Sequence, residues 1–350
     1  MKLEIHPVRL PLKDRFTISR ESIDSQDSVI VALSDGEYTG YGEVSCNSYY
    51  GHTIESLIQS FQRCLPVLER SSLTTPESLF TECRQRIPND FFALSAIDCA
   101  AHDLSGKKQG VPTWQALGLN WNPEIRSSYT LGIDSIEEMR RKFRNQPNWS
   151  IYKIKLGTSY DLEIVSALRE ETDAVIRVDA NCAWSVNEAI EKSHALAELG
   201  VEFIEQPLPA DVSRDEQRAV YERSALPIIA DESCQVEADV VNCHGLFHGI
   251  NVKICKCGGL TPAVRMLKQA RSLGLKTMVG CMIESSVGIS AAAQLLPLLD
   301  YADLDGSVLI AQDPATGVRI ENGKVIPGTL PGCGIQLNPE ELSSMRFDPI

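Results

Sequence analysis

The chain contains 350 residues, of which 43% are hydrophobic and 23% are charged, a composition typical of globular proteins with a sizeable core. Its 47 acidic and 33 basic residues give a net charge of −14, which repels nucleic acids and anionic membranes, so neither is an expected partner. The sequence has no apolar run near the roughly 20 residues that a membrane span needs and no signal-peptide pattern at its charged amino terminus. With eleven cysteines expected to be reduced, it predicts a cytoplasmic protein.

The first 118 residues combine strand and helix patterns. Alternating apolar and polar residues in LEIHPVRLPL and DSVIVALSD predict strands, and segments around 53–70, 76–87 and 91–108 have helical periodicity. We therefore predict a separate α+β domain over residues 1–118.

A regular repeat begins near residue 127. Short apolar segments that end in polar residues start 22 to 27 residues apart, the length of one strand, one helix and two loops. The intervening stretches are helical in pattern, as in the one that opens at Ser185 and stops at Gly200. The eight strand candidates are SSYTLGI from 127, IYKIKLG from 151, VIRVDAN from 175, EFIEQPL from 202, PIIADES from 227, GINVKIC from 249, KTMVGCM from 276 and YADLDGS from 301. Residues 119–312 are therefore predicted to form an α/β fold, a (β/α)7-8 TIM-type barrel.

The end of the chain, residues 313–350, is rich in glycine and proline and carries short strand patterns such as VRIENGKVI. It is too small to fold alone. We expect it to pack back on the first domain and complete it.

Three acidic residues stand at the ends of neighbouring predicted strands. Asp179, Glu205 and Asp231 are spaced 26 residues apart each time, so their carboxylates should share one wall of the barrel mouth. Such acids would repel one another without a cation, and Mg²⁺ prefers carboxylate oxygens while leaving positions for substrate. Each acid alone could instead cap a helix, but three in register favour a magnesium site.

Lysines end two strands that lie four places apart in a ring of eight. Lys153 and Lys155 lie on the second strand, and Lys253 on the sixth faces them across the barrel. Two bases on opposite sides of one carbon can remove its proton from one side and return one from the other, which inverts a stereocentre. Taken alone, Lys153 and Lys155 could simply be solvated loop lysines. Their position opposite Lys253 argues against that interpretation.

Asp303 and Asp305 end the eighth strand, opposite the fourth, and should face the same way. We expect them across the mouth from the metal, where they would hold a cationic end of the substrate unless they only cap the next helix. A carboxylate at the metal and an ammonium at these aspartates describe a zwitterion longer than one amino acid, and a dipeptide fits.

The motifs YKIKLG, VDAN, EQP, ADES and NVKICKCGG, together with the segment AIDCAAHDLSGKKQGVPTWQALG, resemble the enolase superfamily. The resemblance covers essentially the whole chain and is closest to the dipeptide epimerases of the muconate-lactonizing subgroup. It implies that the first domain caps the barrel and that one Mg²⁺ per subunit binds Asp179, Glu205 and Asp231. It also implies that Lys155 and Lys253 are the acid/base catalysts, with Lys153 auxiliary.

The same resemblance implies substrate contacts. The D-x-D of Asp303 and Asp305 is similar to the one with which dipeptide epimerases bind the α-ammonium group. Arg20 resembles a capping-domain arginine that pairs with the acidic side chain in Ala-Glu epimerases. The bulky loop at 49–52 departs from that pattern, so a hydrophobic or mixed dipeptide also fits. The subgroup is often homo-oligomeric, and its contacts with the dipeptide backbone correspond here to Thr130, Cys281 and Ile283.

The leading hypothesis is a Mg²⁺-dependent dipeptide epimerase that inverts the α-carbon of the carboxy-terminal residue by 1,1-proton transfer through an enediolate. One alternative is a lyase of the same subgroup, an o-succinylbenzoate synthase or a cycloisomerase-type enzyme, which needs no ammonium site. Another is a non-catalytic barrel that binds metal and a small zwitterion, although such a protein gains nothing from two bases that face each other.

Overall fold

The computed structural model describes residues 1–347, so the last three residues of the predicted segment 313–350 lie outside the described part. The chain begins with an antiparallel sheet of strands β1 (Lys2–Ile18), β2 (Glu21–Ser34) and β3 (Thr39–Ser45), with β2 in the middle. Ile18 pairs with Glu21, so Ser19 and Arg20 form the tip of a long hairpin. The tip of this hairpin reaches the mouth of the barrel, where Arg20 contacts Asn181 and Glu232.

Helices pack on that sheet. The first is capped by Thr53, whose side chain accepts a hydrogen bond from the backbone N–H of Ser56. Gly42 of β3 lies directly under a helix, where a Cβ atom would collide with the carbonyl of Ala96. These helices are α1 (Ile54–Arg70), α2 (Pro76–Arg86), α3 (Phe91–Gln109) and the short α4 (Thr113–Ala116). We call residues 1–118 the capping domain.

Within residues 1–347, one sheet has eight parallel strands, and neighbours in sequence are neighbours in the sheet. A bridge between Ser127 and Ala302 brings its first and last strands together. The strands are β4 (Tyr129–Leu131), β5 (Ile151–Lys155), β6 (Val175–Asp179), β7 (Val201–Glu205), β8 (Ile228–Ala230), β9 (Gly249–Lys253), β10 (Lys276–Gly280) and β11 (Tyr301–Asp303). Each strand coincides with one of the predicted segments, so the predicted barrel is confirmed.

Helices alternate with these strands. Ser185 caps its helix through a reciprocal capping box with Glu188, and Gly200 follows in the left-handed region at φ 72°, which ends the helix as predicted. The helices are α5 (Ile136–Asn145), α6 (Asp161–Arg169), α7 (Val186–Glu198), α8 (Arg214–Arg223), α9 (Glu237–Cys243), α10 (Ile254–Cys257), α11 (Leu260–Ser272), α12 (Ser286–Ala293) and α13 (Gly306–Leu309).

The final segment contacts both parts of the molecule. The backbone N–H of Cys333 donates to Asp103 of α3 at 2.7 Å, while the Cys333 carbonyl accepts from Gln294 beside α12 at 3.5 Å. Its contacts with the barrel go beyond the expected packing on the capping domain, and the boundaries at 118 and 312 stay a prediction. Its elements are β12 (Ala315–Thr316), β13 (Arg319–Glu321), β14 (Lys324–Ile326), β15 (Gln336–Leu337) and α14 (Pro339–Met345).

Two large apolar clusters hold the fold together. One extends from the barrel strands to their surrounding helices, and the other lies between the capping-domain sheet and α1 to α3. In the described part of the chain, no helix is both long and apolar enough to cross a membrane.

Candidate active site

The three predicted acids converge at one end of the barrel. Asp179 and Glu205 are the last residues of β6 and β7, where parallel pairing places them in register, and Asp231 directly follows β8. All three are buried, and one carboxylate oxygen from each lies within 4.8 Å of the others. They are therefore close enough to share one ion.

Nearby lysines balance the negative charges of Asp179 and Asp231 more fully than that of Glu205. Lys155 Nζ lies 2.7 Å from Asp179, and Lys253 Nζ lies 2.9 Å from Asp231. Burial opposes ionisation of Asp231, yet the charges of Lys253 and of Lys256 hold its pKa well below the usual value. Burial and the charge of Asp179 instead raise the pKa of Glu205 to about 7. Further positive charge is needed beside Glu205.

One oxygen of Glu205 indicates where that charge fits. Among residues 1–347, Oε2 of Glu205 is a buried atom without a hydrogen-bond donor. Lys153 Nζ approaches it to 2.8 Å as an ion pair, at an angle unsuited to a hydrogen bond. An all-oxygen set of three carboxylates suits a hard divalent cation. The residues present therefore fit Mg²⁺, and Asp179, Glu205 and Asp231 are the groups that would hold it.

Lys155 and Lys253 approach one cavity from opposite sides. They end β5 and β9, which are four places apart in the eight-strand order. Both side chains line a cavity with about 780 Å³ of empty space, including its open mouth. Lys256 lies in α10, where its Nζ is buried against the carbonyl and carboxylate of Asp231. Of these two lysines, Lys253 lines the cavity and Lys256 does not.

Lys153 is surrounded by carboxylates. Its Nζ lies 2.8 Å from both Asp303 and Glu205 and 3.0 Å from Asp179. Burial lowers the pKa of this amine, but the three carboxylates together raise it well above its ordinary value. Lys153 is thus a fixed cation. It also joins Asp303 to the acid cluster through a single ammonium group, a closer relation than the predicted position across the mouth.

Asp303 and Asp305 occupy the cavity wall formed by β11 and β4. Asp303 Oδ1 accepts a hydrogen bond from the Ser128 hydroxyl at 2.6 Å, and Asp305 Oδ2 accepts one from the Thr130 backbone N–H at 2.6 Å. Burial and the charge of Asp303 raise the pKa of Asp305 to about 7. Because Lys153 already balances Asp303, Asp305 is the aspartate that a cationic ligand would stabilise most.

The remaining predicted residues line the same cavity. Arg20 enters from the hairpin tip of the capping domain, while Cys281 and Ile283 belong to the loop after β10. Arg20 Nη2 donates to Glu232 Oε1 at 2.8 Å, so its guanidinium already has an anionic partner. Apolar side chains of the capping domain complete this wall, namely Phe16, Ile18, Ile23 and Tyr50.

Some supporting residues were not singled out from the sequence. Asn251 Nδ2 donates to Glu205 Oε1 at 2.8 Å, and the side-chain oxygen of Gln206 accepts from the Asp231 N–H at 3.0 Å. Asn251 precedes Lys253 by two residues on β9, so strand periodicity could have identified it. Gln206 takes the left-handed region at φ 34°. Such a conformation of a non-glycine residue costs about 1–3 kcal/mol and is common where a functional group must be oriented.

The fold and site together define an enolase-like barrel with a capping domain. The mandelate racemase/muconate lactonizing enzyme N-terminal domain matches residues 1–118, and the enolase C-terminal domain-like family matches residues 134–342. The chain therefore belongs to the mandelate racemase/muconate lactonizing enzyme family of the enolase superfamily, which confirms the resemblance seen in the motifs.

Individual relatives show which members of the family the chain is similar to. The chain is 48% identical to an L-Ala-D/L-amino acid epimerase of Flavobacterium johnsoniae, over 96% of this chain and 100% of that protein. It is 38% identical to an L-Ala-D/L-Glu epimerase of Bacteroides thetaiotaomicron, over 96% and 88% of the two chains. A crystal structure of a dipeptide epimerase from Enterococcus faecalis, complexed with Mg and L-Leu-L-Tyr, superimposes with a TM-score of 0.90 at 30% identity. That match covers 95% of this chain and 98% of the other.

Proposed function

We propose that this protein is a Mg²⁺-dependent dipeptide epimerase, an isomerase that inverts the α-carbon of the carboxy-terminal residue of a dipeptide. The observation that carries this proposal is the placement of Lys155 and Lys253 on opposite strands of the ring, beside three clustered and buried carboxylates. A carbon held between two amines can lose a proton to one and gain a proton from the other.

The acid cluster sets which carbon reacts. Asp179, Glu205 and Asp231 would hold Mg²⁺, which would supply positive charge for the substrate carboxylate and for the enediolate formed from it. Lys155 and Lys253 then act as a pair, one entering as the neutral amine that accepts the α-proton and the other as the ammonium that donates one. Each turnover exchanges their protonation states, so the reverse reaction starts from the opposite face.

The other end of the substrate is an α-ammonium group. We infer that Asp303 and Asp305 accept its hydrogen bonds and that Thr130, Cys281 and Ile283 position the dipeptide backbone. The raised pKa of Asp305, caused by burial and by the charge of Asp303, supports a cationic ligand there. Lys153 acts as the auxiliary cation, since it balances Asp303 and the acid cluster.

Deuterium incorporation tests the reaction. With Mg²⁺ in deuterium oxide, an L,L-dipeptide should gain one deuterium at the carboxy-terminal α-carbon and form its epimer, both visible by mass spectrometry and chiral chromatography. Lys155→Ala and Lys253→Ala should each abolish epimerisation, while each retains α-hydrogen exchange with one epimer only. Epimerisation without any solvent deuterium would contradict the proposal.

We further propose that the protein is a cytoplasmic homo-oligomer. The eleven cysteines are all free thiols in the described structure, which suits a reducing compartment, while the oligomer rests on the resemblance to the subgroup. Light scattering coupled to size exclusion tests the oligomer, and a mass corresponding to one chain would refute it. Cell fractionation tests the compartment.

A further inference from the structure

One loop of the cavity wall is anchored by the capping domain. Residues 281–285, which we call the β10–α12 loop, connect β10 with α12, and Cys281, Met282 and Ile283 line the cavity. Within residues 1–347, each side chain from outside the loop that hydrogen-bonds to its backbone belongs to strand β3. The barrel thus supplies this part of the wall, whereas a strand of the capping domain fixes its position.

Glu43 makes the larger of the two attachments. Its carboxylate accepts hydrogen bonds from the hydroxyl of Ser285 and, at 3.0 Å each, from the backbone N–H groups of Ser285 and Gly288. These N–H groups lie at the start of α12, where no earlier carbonyl of the helix can accept from them. The Ser28 hydroxyl donates to the same carboxylate at 2.9 Å. Because Glu43 is 3% exposed, water cannot easily replace it as the acceptor.

Ser45 makes the second attachment, two residues further along β3. Side chains two residues apart on a strand point to the same face, and the buried Ser45 hydroxyl donates to the Ile283 carbonyl at 2.6 Å. Ile283 is one of the residues proposed to position the dipeptide backbone. The described lining of the cavity includes neither Glu43 nor Ser45. Both therefore act on a substrate only through the loop.

We propose that Glu43 and Ser45 are positioning residues for substrate binding, which hold the β10–α12 loop where its cavity-lining residues contact the dipeptide. This inference rests on the proposed epimerase function and deepens it. The two proposed bases are held separately, since Lys155 and Lys253 stand at the ends of β5 and β9. Loss of either attachment should therefore weaken substrate binding more than it slows proton transfer.

Steady-state kinetics separate these two effects. We would measure kcat and KM at saturating Mg²⁺ for wild type, Glu43→Gln, Ser45→Ala and Lys107→Met, with whichever of L-Ala-L-Leu and L-Ala-L-Glu wild type epimerises faster. An interaction made equally with the bound substrate and the transition state changes KM and leaves kcat unchanged. A displaced loop loses about one hydrogen bond to the substrate, so KM should rise about tenfold in Glu43→Gln and in Ser45→Ala. Their kcat should stay within about threefold of wild type.

Lys107→Met tests whether instability of the capping domain alone could raise KM. Lys107 donates to the Asp103 carboxylate and to the Thr39 carbonyl, both within the capping domain. Its substitution should lower stability and leave KM at the wild-type value. Urea unfolding of every variant gives the loss of stability against which its KM is compared.

Three outcomes overturn the inference while the proposed function stands. In the first, Ser45→Ala or folded Glu43→Gln has the same KM as active wild type. In the second, kcat falls and KM does not rise. In the third, Lys107→Met raises KM as much as the other variants at an equal loss of stability. Wild type that exchanges no α-hydrogen on these or other dipeptides in deuterium oxide would instead refute the epimerase function, and the inference with it. Ser45→Ala removes a single oxygen atom and decides the question even if Glu43→Gln does not fold.

Discussion

Lys153 contacts three buried carboxylates. Replacing this lysine should make the folding stability of the protein depend on Mg²⁺. In Lys153→Met the side chain keeps similar length, but Asp179, Glu205 and Asp303 lose an ammonium group at 2.8–3.0 Å. Removing one partner from buried ion pairs destabilises a protein by about 3–5 kcal/mol. With an unfolding entropy of about 2.1 cal/mol/K per residue over this chain, Tm should fall by about 4–7 °C.

Bound Mg²⁺ should recover much of that loss. Asp179 and Glu205 would hold the ion, which would supply the positive charge they lose with Lys153, and no neighbouring ammonium would oppose it in Lys153→Met. Differential scanning calorimetry of wild type and Lys153→Met, each in EDTA and in excess Mg²⁺, gives four transitions. We expect the difference in Tm between the two proteins to fall to less than half when Mg²⁺ replaces EDTA.

Lys107→Met is the matched control. Lys107 Nζ contacts the buried Asp103 at 2.7 Å in the capping domain, away from the acid cluster. Its substitution should lower Tm by a similar amount whether or not Mg²⁺ is present. Equal losses for Lys153→Met in EDTA and in Mg²⁺ would show that the three carboxylates do not share an ion, and the reasoning about the site would fail.

Three further predictions concern single residues. Asp305→Asn should lower kcat/KM for dipeptides roughly 100-fold through loss of a buried charge pair, whereas an unchanged rate would favour the lyase alternative. Asn251→Leu removes the donor to Glu205 and should weaken Mg²⁺ binding about 10-fold to 100-fold by calorimetric titration; unchanged affinity would exclude this supporting role. Burial raises the pKa of Glu284 from 4.5 to about 8, so its protonated form stabilises the fold below pH 4.5 and this contribution is lost as pH rises through 8. Glu284→Gln should therefore flatten the decline of stability over that range in urea titrations, and the exposed Glu222→Gln should not.

The positions of the acids and bases were predictable because a parallel β/α repeat fixes where each strand ends. Asp179, Glu205, Lys155 and Lys253 are each the final residue of a strand, and their strand numbers in the ring give their relative directions. The order of the strands follows from the sequence alone, since consecutive strands are neighbours. No long-range contact had to be guessed.

The charge partners were not predictable in the same way. The contact between Arg20 and Glu232 spans 212 residues and depends on how the capping domain meets the barrel. Lys153 was placed on the correct strand, yet its three partners come from three other strands, and the length of its side chain decides which it reaches. Strand periodicity predicts on which face of the sheet a side chain lies, but it does not predict such distances.

The strand-end residues and the capping-domain contacts differ in how a substitution would act on the site. The groups proposed to react stand on strand ends, where a shift of one residue would turn a side chain to the other face, whereas Arg20 stands on a hairpin tip. Glu232, however, directly follows the metal ligand Asp231, so a change there acts beside the acid cluster. Replacing Arg20 leaves the cluster in place but exposes Glu232 as an unpaired buried anion. A substitution at Arg20 therefore disturbs the acid cluster less directly than one at Glu232 does.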